Sequence, residues 1–287
     1  MGNKYEFLLA AIISARATSF IFSKMILQDL DKFNLLGIRF LMAFVLLAVI
    51  FHKELRQMTK HAFYSGVIIG ICFFLTMSCE MAALTQADSA LVSILENCAI
   101  IFVPLINAAL SRKLPSKIAL LSSTTAMTGV VLLALHHGHL SGGFLFGLLA
   151  ALCYAVAIIV TARLTHGSRR TLGIGIIQIG TIGTLAMVAS LLTEQPALPQ
   201  SGSQWLMLAM LIFVCTGFGF TLQPVAQSRV SAERAGLFCA INPAIAALLG
   251  VVVLDEQLGV SGLIGILLIL GSLVMPHLLE KHTSEEI

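Results

Sequence analysis

Stretches of roughly 20 mostly apolar residues recur along the chain, each divided from the next by a short polar interruption. They fall near 6–27, 33–51, 62–84, 88–110, 117–136, 142–163, 171–193, 203–225, 232–253 and 258–279. A bilayer core about 30 Å thick takes about 20 apolar residues per helical crossing, and inside lipid each backbone group must find its partner within the protein. A chain built this way is restricted to a bundle of membrane-spanning helices, and the expected fold is an all-α membrane protein of ten transmembrane helices. With 58% hydrophobic and only 11% charged residues among 287, it carries more apolar material than one soluble core of that size buries. The mean hydropathy of +0.97 says the same.

The charges orient the bundle. If the N-terminus is cytoplasmic, the inner segments hold Lys4; Lys53, Arg56 and Lys60; Arg112, Lys113 and Lys117; Arg163, Arg169 and Arg170; Arg229 and Arg234; and Lys281. Those are 13 of the 17 basic residues, whereas the outer loops keep only Lys32, and Arg16, Lys24 and Arg39 fall inside helices. This asymmetry follows the positive-inside rule and predicts both termini in the cytoplasm, in a multi-pass protein of the cell inner membrane. The first apolar stretch runs into further spans without a small-residue cleavage site and reads as a signal anchor. The opening Met1-Gly2-Asn3-Lys4-Tyr5-Glu6 lacks the hydroxyl residue of a myristoylation site.

An internal duplication is visible. Ser89-Ala90 through Cys98, Arg112, Lys113 and Leu114 line up at one constant offset with Glu233-Arg234 through Asn242, Glu256, Gln257 and Leu258, and Gly129 meets Gly271 after a small slip. Phe7-Leu8 likewise matches Phe144-Leu145. Two halves follow, residues 1–138 and 139–287, each with five helices. Five is odd, so the second copy crosses in the opposite sense, an inverted-topology repeat within one integral membrane domain. The turn with Arg112 and Lys113 is basic where its counterpart with Asp255 and Glu256 is acidic, as opposite sides of a membrane require.

These residues resemble the drug/metabolite transporter superfamily, in its ten-helix EamA-like branch, over essentially the whole chain. That family's first helix tends to read Trp-Gly-Ser-Asn-Phe, then a short apolar run and Lys, and Arg16-Ala17-Thr18-Ser19-Phe20-Ile21-Phe22-Ser23-Lys24 occupies the frame. Gly37-Ile38-Arg39-Phe40-Leu41-Met42-Ala43 is similar to its Arg-Phe pattern in helix two, and Pro243 with Glu256 to its Pro-to-Glu spacing near helix nine. Arg16 stands where the family usually has Trp, and Arg112 where its first repeat often has an acid. The resemblance implies a cavity between the two halves and alternating access, for solutes that differ widely between members.

Charges within the spans mark the chemistry, because one at the bilayer centre costs roughly 2.5–3.5 kcal/mol on insertion scales unless it is paired or hydrated. Arg16 lies ~15 Å into helix one and Glu96 ~12 Å into helix four from the other side, so the two can meet near the midplane. Arg39 and Glu80 fall nearer the outer surface as a second pair. Helical spacing groups Arg16, Ser19 and Ser23 on one face; Ser89, Ser93, Glu96 and Asn107 on another; Thr216, Phe220, Gln223 and Gln227 on a third; and Thr76 with Glu80 on a fourth. Tyr154 and Asn242 add polar groups from the second half. The expected substrate-binding set is therefore Arg16, Ser19, Ser23, Ser93, Glu96, Tyr154, Gln223 and Asn242, with Glu80, Glu96 and Arg39 as candidates for coupling or ion pairing. Against this stands a purely structural Arg16–Glu96 pair that orders the bundle. Lys24 is expected to snorkel to the surface and Trp205 to anchor at the interface. Gly217, Gly219, Pro224 and Asn242-Pro243 mark possible helix breaks, while Gly66/Gly70 and Gly143/Gly147 have the spacing of close helix contacts.

The expected function is a secondary active transporter, in the export direction, of a small polar or zwitterionic metabolite such as an amino acid or derivative. Arg16 would hold a carboxylate, and Glu96 an amine or a coupling proton. A multidrug exporter of lipophilic cations is the alternative, disfavoured by the scarcity of Trp and Tyr. An intramembrane enzyme is disfavoured because no GxSxG or HExxH motif is present and every His lies in a loop or helix end. His136, His137 and His139 have no carboxylate or cysteine beside them, and the six cysteines form no CxxC pair, so neither metal nor cofactor is expected. The expected partners are the lipid bilayer, the solute and protons, with no nucleic acid; the oligomeric state is left open.

Overall fold

The computed structural model describes residues 2–87, 89–112, 114–134, 143–245 and 260–285. These are helices joined by short turns: α1 Gly2–Ala17, α2 Ser19–Ile26, α3 Lys32–Ile50, α4 His52–Arg56, α5 Lys60–Leu84, α6 Ser89–Glu96, α7 Ala99–Ser111 and α8 Lys117–Ala134 in the first half. The second half holds α9 Phe144–Thr165, α10 Thr171–Thr193, α11 Gly202–Met210, a π-helical segment Leu211–Phe220, α12 Thr221–Gln227, α13 Ala232–Phe238 and α14 Val260–Glu285. Among the described residues seven segments are long and apolar enough to cross a bilayer: Lys4–Ile26, Lys32–Ile50, Lys60–Leu84, Val92–Ser111, Phe144–Thr165, Thr171–Thr193 and Gly202–Gln227. The expected stretches at 117–136 and 258–279 correspond to α8 and α14, which pack along each other. That at 232–253 begins with α13 and continues as helix at 241–245 before leaving the described residues.

In each of the seven spans, between 44% and 56% of the apolar window is buried. The outward faces are themselves apolar, with Phe7, Val49, Leu191, Leu192 and Leu206 among the most exposed, and polar and charged side chains sit inside. This is the arrangement lipid demands, because its tails offer nothing to a polar group.

Close contacts at glycine set the frame. A Cβ on Gly66 would lie 2.7 Å from Ile177 Cβ, and one on Gly70 2.6 Å from Thr181 Cβ, so α5 and α10 approach backbone to backbone. Gly37 and Gly183 do the same between α3 and α10, where added Cβ atoms would lie 3.0 Å from Met187 Cε and 2.7 Å from Leu41 N. Gly143 and Gly147 seat α9 on Ala83 and Leu95. Small residues are what permit such approach where no hydrophobic effect drives helices together.

Several helices are interrupted midway. The first breaks at Thr18, the fourth at Asn97-Cys98, and the ninth at Cys239-Ala240, where tight three-residue bonds (Cys98 N to Leu95 O, 3.0 Å; Ala240 N to Leu237 O, 3.1 Å) replace the α-helical ladder. The last two breaks fall close to one another under the repeat alignment of Cys98 with Asn242. The eighth helix widens into the π segment. Side chains add bonds to carbonyls at these breaks: Ala15 O accepts from Thr18 Oγ1 at 2.8 Å and from Cys215 Sγ at 3.4 Å. Ser93 O accepts from Asn97 Nδ2 at 2.6 Å, and Thr216 O from Thr221 Oγ1 at 3.2 Å.

Candidate functional site

Arg16 occupies the last turn of α1, one residue short of the break, where the helix dipole favours a cation. It is only 6% exposed. Its Nη1 donates to Gln223 Oε1 at 2.7 Å and to Tyr154 Oη at 3.0 Å, drawing together three elements distant in sequence. The guanidinium carbon lies 4.0 Å from the centroid of Phe220, 5.1 Å from that of Tyr154 and 5.6 Å from that of Phe73. Ring faces attract a cation while excluding water. The missing Cβ of Gly219 leaves the space in which the Arg16 side chain lies. Arg16 is thus fixed by its surroundings before any ligand arrives.

Arg39 on α3 is buried and donates from Nε to Thr216 Oγ1 at 2.7 Å, inside the π segment. Its guanidinium carbon lies 5.0 Å from the Phe40 centroid and 5.8 Å from that of Phe220, so both arginines share Phe220. Glu80 on α5 and Glu96 at the end of α6 are fully buried as well. Arg16 interacts electrostatically with both carboxylates, and Arg39 with Glu80. Two guanidinium groups and two carboxyl groups therefore lie within electrostatic reach of one another in the bundle. Yet neither expected pair forms a direct ion pair: those among the described residues are Arg170–Glu54 and Arg234–Glu6.

Glu96 is among the buried groups whose hydrogen-bonding needs the described residues leave unmet. Both of its carboxylate oxygens are buried without a hydrogen-bond partner, as are Ser23 Oγ, Ser93 Oγ, Asn97 Oδ1, Gln223 Nε2, Asn242 Oδ1 and Arg16 Nε. An unbonded buried polar atom costs about 1–3 kcal/mol, and a charged one more, so each of these groups favours a partner that the described residues do not supply. Ser19 is buried nearby on α2. The Ser89 side chain, His136, His137, His139, Asp255 and Glu256 lie outside what is described.

Two sequence readings change. Asn107 does not continue the Glu96 face, because the break at Asn97-Cys98 interrupts the 100° periodicity; it sits at the basic end of the bundle, bonded to Glu233 and Arg163. Lys24 does not simply reach for solvent: its Nζ donates to Leu84 O at 2.6 Å and Ala87 O at 2.8 Å, capping the carbonyl end of α5.

The sequence profile of the EamA-like transporter family matches residues 4–135 and again 141–276. The chain belongs to the EamA-like transporter family. It is a transporter and an integral membrane protein, as its motif resemblance implied. A relative from Archaeoglobus fulgidus, described only as an uncharacterized transporter, is 26% identical over 204 residues, which cover 70% of this chain and 72% of the relative. A crystal structure superposes with a TM-score of 0.77 at 17% identity, covering 97% of both chains, a likeness of fold alone.

For this family member, sequence reasoning missed Phe73, Asn97, Thr18 and Cys215. Phe73 shares a helical face with Thr76 and Glu80 at spacings of three and seven, a signal that was present. Asn97 adjoins Glu96. The capping of Ala15 O by Thr18 and Cys215 depends on a break that no local pattern announces.

Proposed function

We propose that the protein is a secondary active transporter that exports a small polar or zwitterionic metabolite, such as an amino acid or derivative, across the inner membrane by alternating access. Ten spans form two inverted five-helix repeats with both termini cytoplasmic; α8, the helix begun by α13, and α14 supply the three beyond the seven long apolar spans. Arg16 binds the solute carboxylate and Glu96 its amine or a coupling proton, with Ser19, Ser23, Ser93, Tyr154, Gln223 and Asn242 around them. The observation that carries this reading is the unbonded carboxylate of Glu96, buried within electrostatic reach of an immobilised Arg16 at interrupted helices. Discontinuous helices at the midplane, with polar groups turned inward, are how many secondary transporters build a site. Glu80 and Arg39 complete the charge balance. The protein is not an enzyme in this reading.

The alternative of lipophilic-cation efflux draws on the rings of Phe73, Tyr154 and Phe220, but Arg16 already lies against all three, and a second cation there meets like charge.

Metabolite profiles of the medium of cells with and without the gene identify the solute. Transport by the purified protein in liposomes under an imposed pH gradient then tests the site. Glu96→Gln is expected to abolish the pH-driven component while Gly271→Ala leaves it intact. Unchanged pH-driven uptake in Glu96→Gln refutes proton coupling through Glu96, and a resistance profile to organic cations with no change in metabolites favours the alternative.

A further inference from the structure

At the basic end of the bundle, away from the contacts of the central arginines, a second set of polar contacts ties the first repeat to the second. Glu6 on α1 is 6% exposed and pairs with Arg234 on α13, Oε1 to Nη1, at 2.7 Å. The neighbouring residue Glu233 accepts from Asn107 Nδ2 on α7 at 3.1 Å, and Asn107 Oδ1 in turn accepts from Arg163 Nη2 on α9 at 3.2 Å. Two consecutive residues of α13 thus hold α1 and α7 at once. Ser231 caps α13 by accepting from Arg234 N at 3.3 Å, which fixes the direction in which both side chains leave the helix. A cavity lined by Ser116, Ser122, Ser123, Ser231, Glu233 and Arg234 lies directly against this contact. Ser122 Oγ there is buried and without a hydrogen-bond partner. Five residues beyond Arg234 the helix breaks at Cys239-Ala240, and Cys239 lies buried beside Tyr154, a partner of Arg16.

We infer that Glu6–Arg234 and Asn107–Glu233 form a latch that closes the cytoplasmic mouth of the transport path, and that opening toward the cytoplasm swings α13 away from α1 and α7 about the break at Cys239-Ala240. The inference rests on the transport reading for its meaning and on the proposed topology for the side it faces. Its geometry is that of a closure: at its start α13 touches the opposite repeat through an ion pair and an amide-to-carboxylate bond, both remakeable contacts, and nearer the break Gly236 packs on the Val103 side chain of α7, where an added Cβ would lie 3.0 Å from Val103 Cβ. The α3–α10 interface, in contrast, is held by backbone-close glycine contacts that cannot part without losing packing. The serine-lined cavity is then the first hydrated space a cytoplasmic solute meets once the latch opens.

The test reads access rather than transport. A full-length variant that keeps Cys239 as its single cysteine, with Cys72, Cys79, Cys98 and Cys153 replaced by Ala and Cys215 by Ser, is labelled with a membrane-impermeant methanethiosulfonate in inside-out and right-side-out vesicles. Glu6→Gln is expected to speed labelling from the cytoplasmic face several-fold, up to about fivefold, the response to losing one partly buried pair from the closed state. The exchange Glu6→Arg with Arg234→Glu, which restores opposite charges, is expected to return the rate toward that of the parent carrying Glu6 and Arg234. An unchanged rate in Glu6→Gln overturns the inference, as does a charge exchange no slower than either single variant. So does acceleration from both faces alike, the mark of general loosening. Because labelling needs no solute, the latch can fail while export stands, and loss of export with the labelling pattern intact points to the central site instead.

Discussion

Gly219→Ala tests whether Arg16 is held as tightly as its contacts imply. The new methyl would lie 2.7 Å from Arg16 Cγ, where carbon atoms ordinarily keep about 3.5–4.0 Å. The side chain must therefore move by about 1 Å. It is held at the far end by Tyr154 and Gln223, at 3.0 and 2.7 Å, so a shift of that size carries at least one of these bonds beyond useful length. A hydrogen bond to a charged group contributes about 1.5–3 kcal/mol, and alanine over glycine returns about 1 kcal/mol within a helix. The balance is a loss of about 0.5–2 kcal/mol. Reversible unfolding in mixed detergent and SDS micelles measures it, with Gly271→Ala as the control, since among the described residues nothing lies within 4 Å of a Cβ at Gly271. The control should gain stability where Gly219→Ala loses it. Adding Arg16→Ala removes the obstacle, so in that background Gly219→Ala should cost nothing. If Gly219→Ala is stabilising in the parent, or equally costly with Arg16 absent, Arg16 is not confined by Gly219 and the fixed-cation argument fails.

Two further outcomes follow from the same packing. Thr216→Val keeps the shape but removes the acceptor for Arg39 Nε, and should cost about 1–2 kcal/mol in the same unfolding measurement, whereas Thr216→Ser should be close to neutral; equal stability of the two would show that the bond carries nothing. Gly175→Ala drives a methyl into the backbone carbonyl of Thr221, which no side-chain rotation relieves, and should cost about 3 kcal/mol or more, seen as loss of the monodisperse fraction in size-exclusion chromatography.

The helices themselves were legible because lipid imposes a length and a composition that short polar turns cannot disguise. Observed α3, α5, α9 and α10 match the expected stretches to within a few residues. The glycine pairs at 66/70 and 143/147 were also readable, since spacing four places both on one face. The depth of Arg16 and Glu96 followed from counting residues, but their partners did not. Arg16 bonds Tyr154 and Gln223, 138 and 207 residues away, and a periodicity argument has no access to contacts of that separation. Opposite charges at equal depth suggested a direct pair, whereas aromatic rings and neutral polar groups surround Arg16 and leave Glu96 free. Asn107 was misplaced for a different reason, because the face was extended through a break that only the folded chain reveals.

The distribution of tight and remakeable contacts assigns roles to the helices. Where Gly37, Gly66, Gly70 and Gly183 bring α10 against α3 and α5, closely packed surfaces leave little freedom to slide. Glu194 reinforces this junction by accepting from the backbone N–H groups of Phe33 and Asn34 at 3.1 and 2.8 Å, closing the start of α3 from the other repeat. The interrupted helices carry in addition side-chain bonds from Thr18, Cys215, Asn97 and Thr221 to carbonyls at the breaks. Bonds of this kind within membranes contribute about 0.6 kcal/mol on average and up to about 1.7, small enough for ligand contacts to outweigh. Arg16 and Glu96 sit next to two of these joints. Under the proposed function, a solute that engages both would act on the joints directly, with no separate relay through the rigid frame.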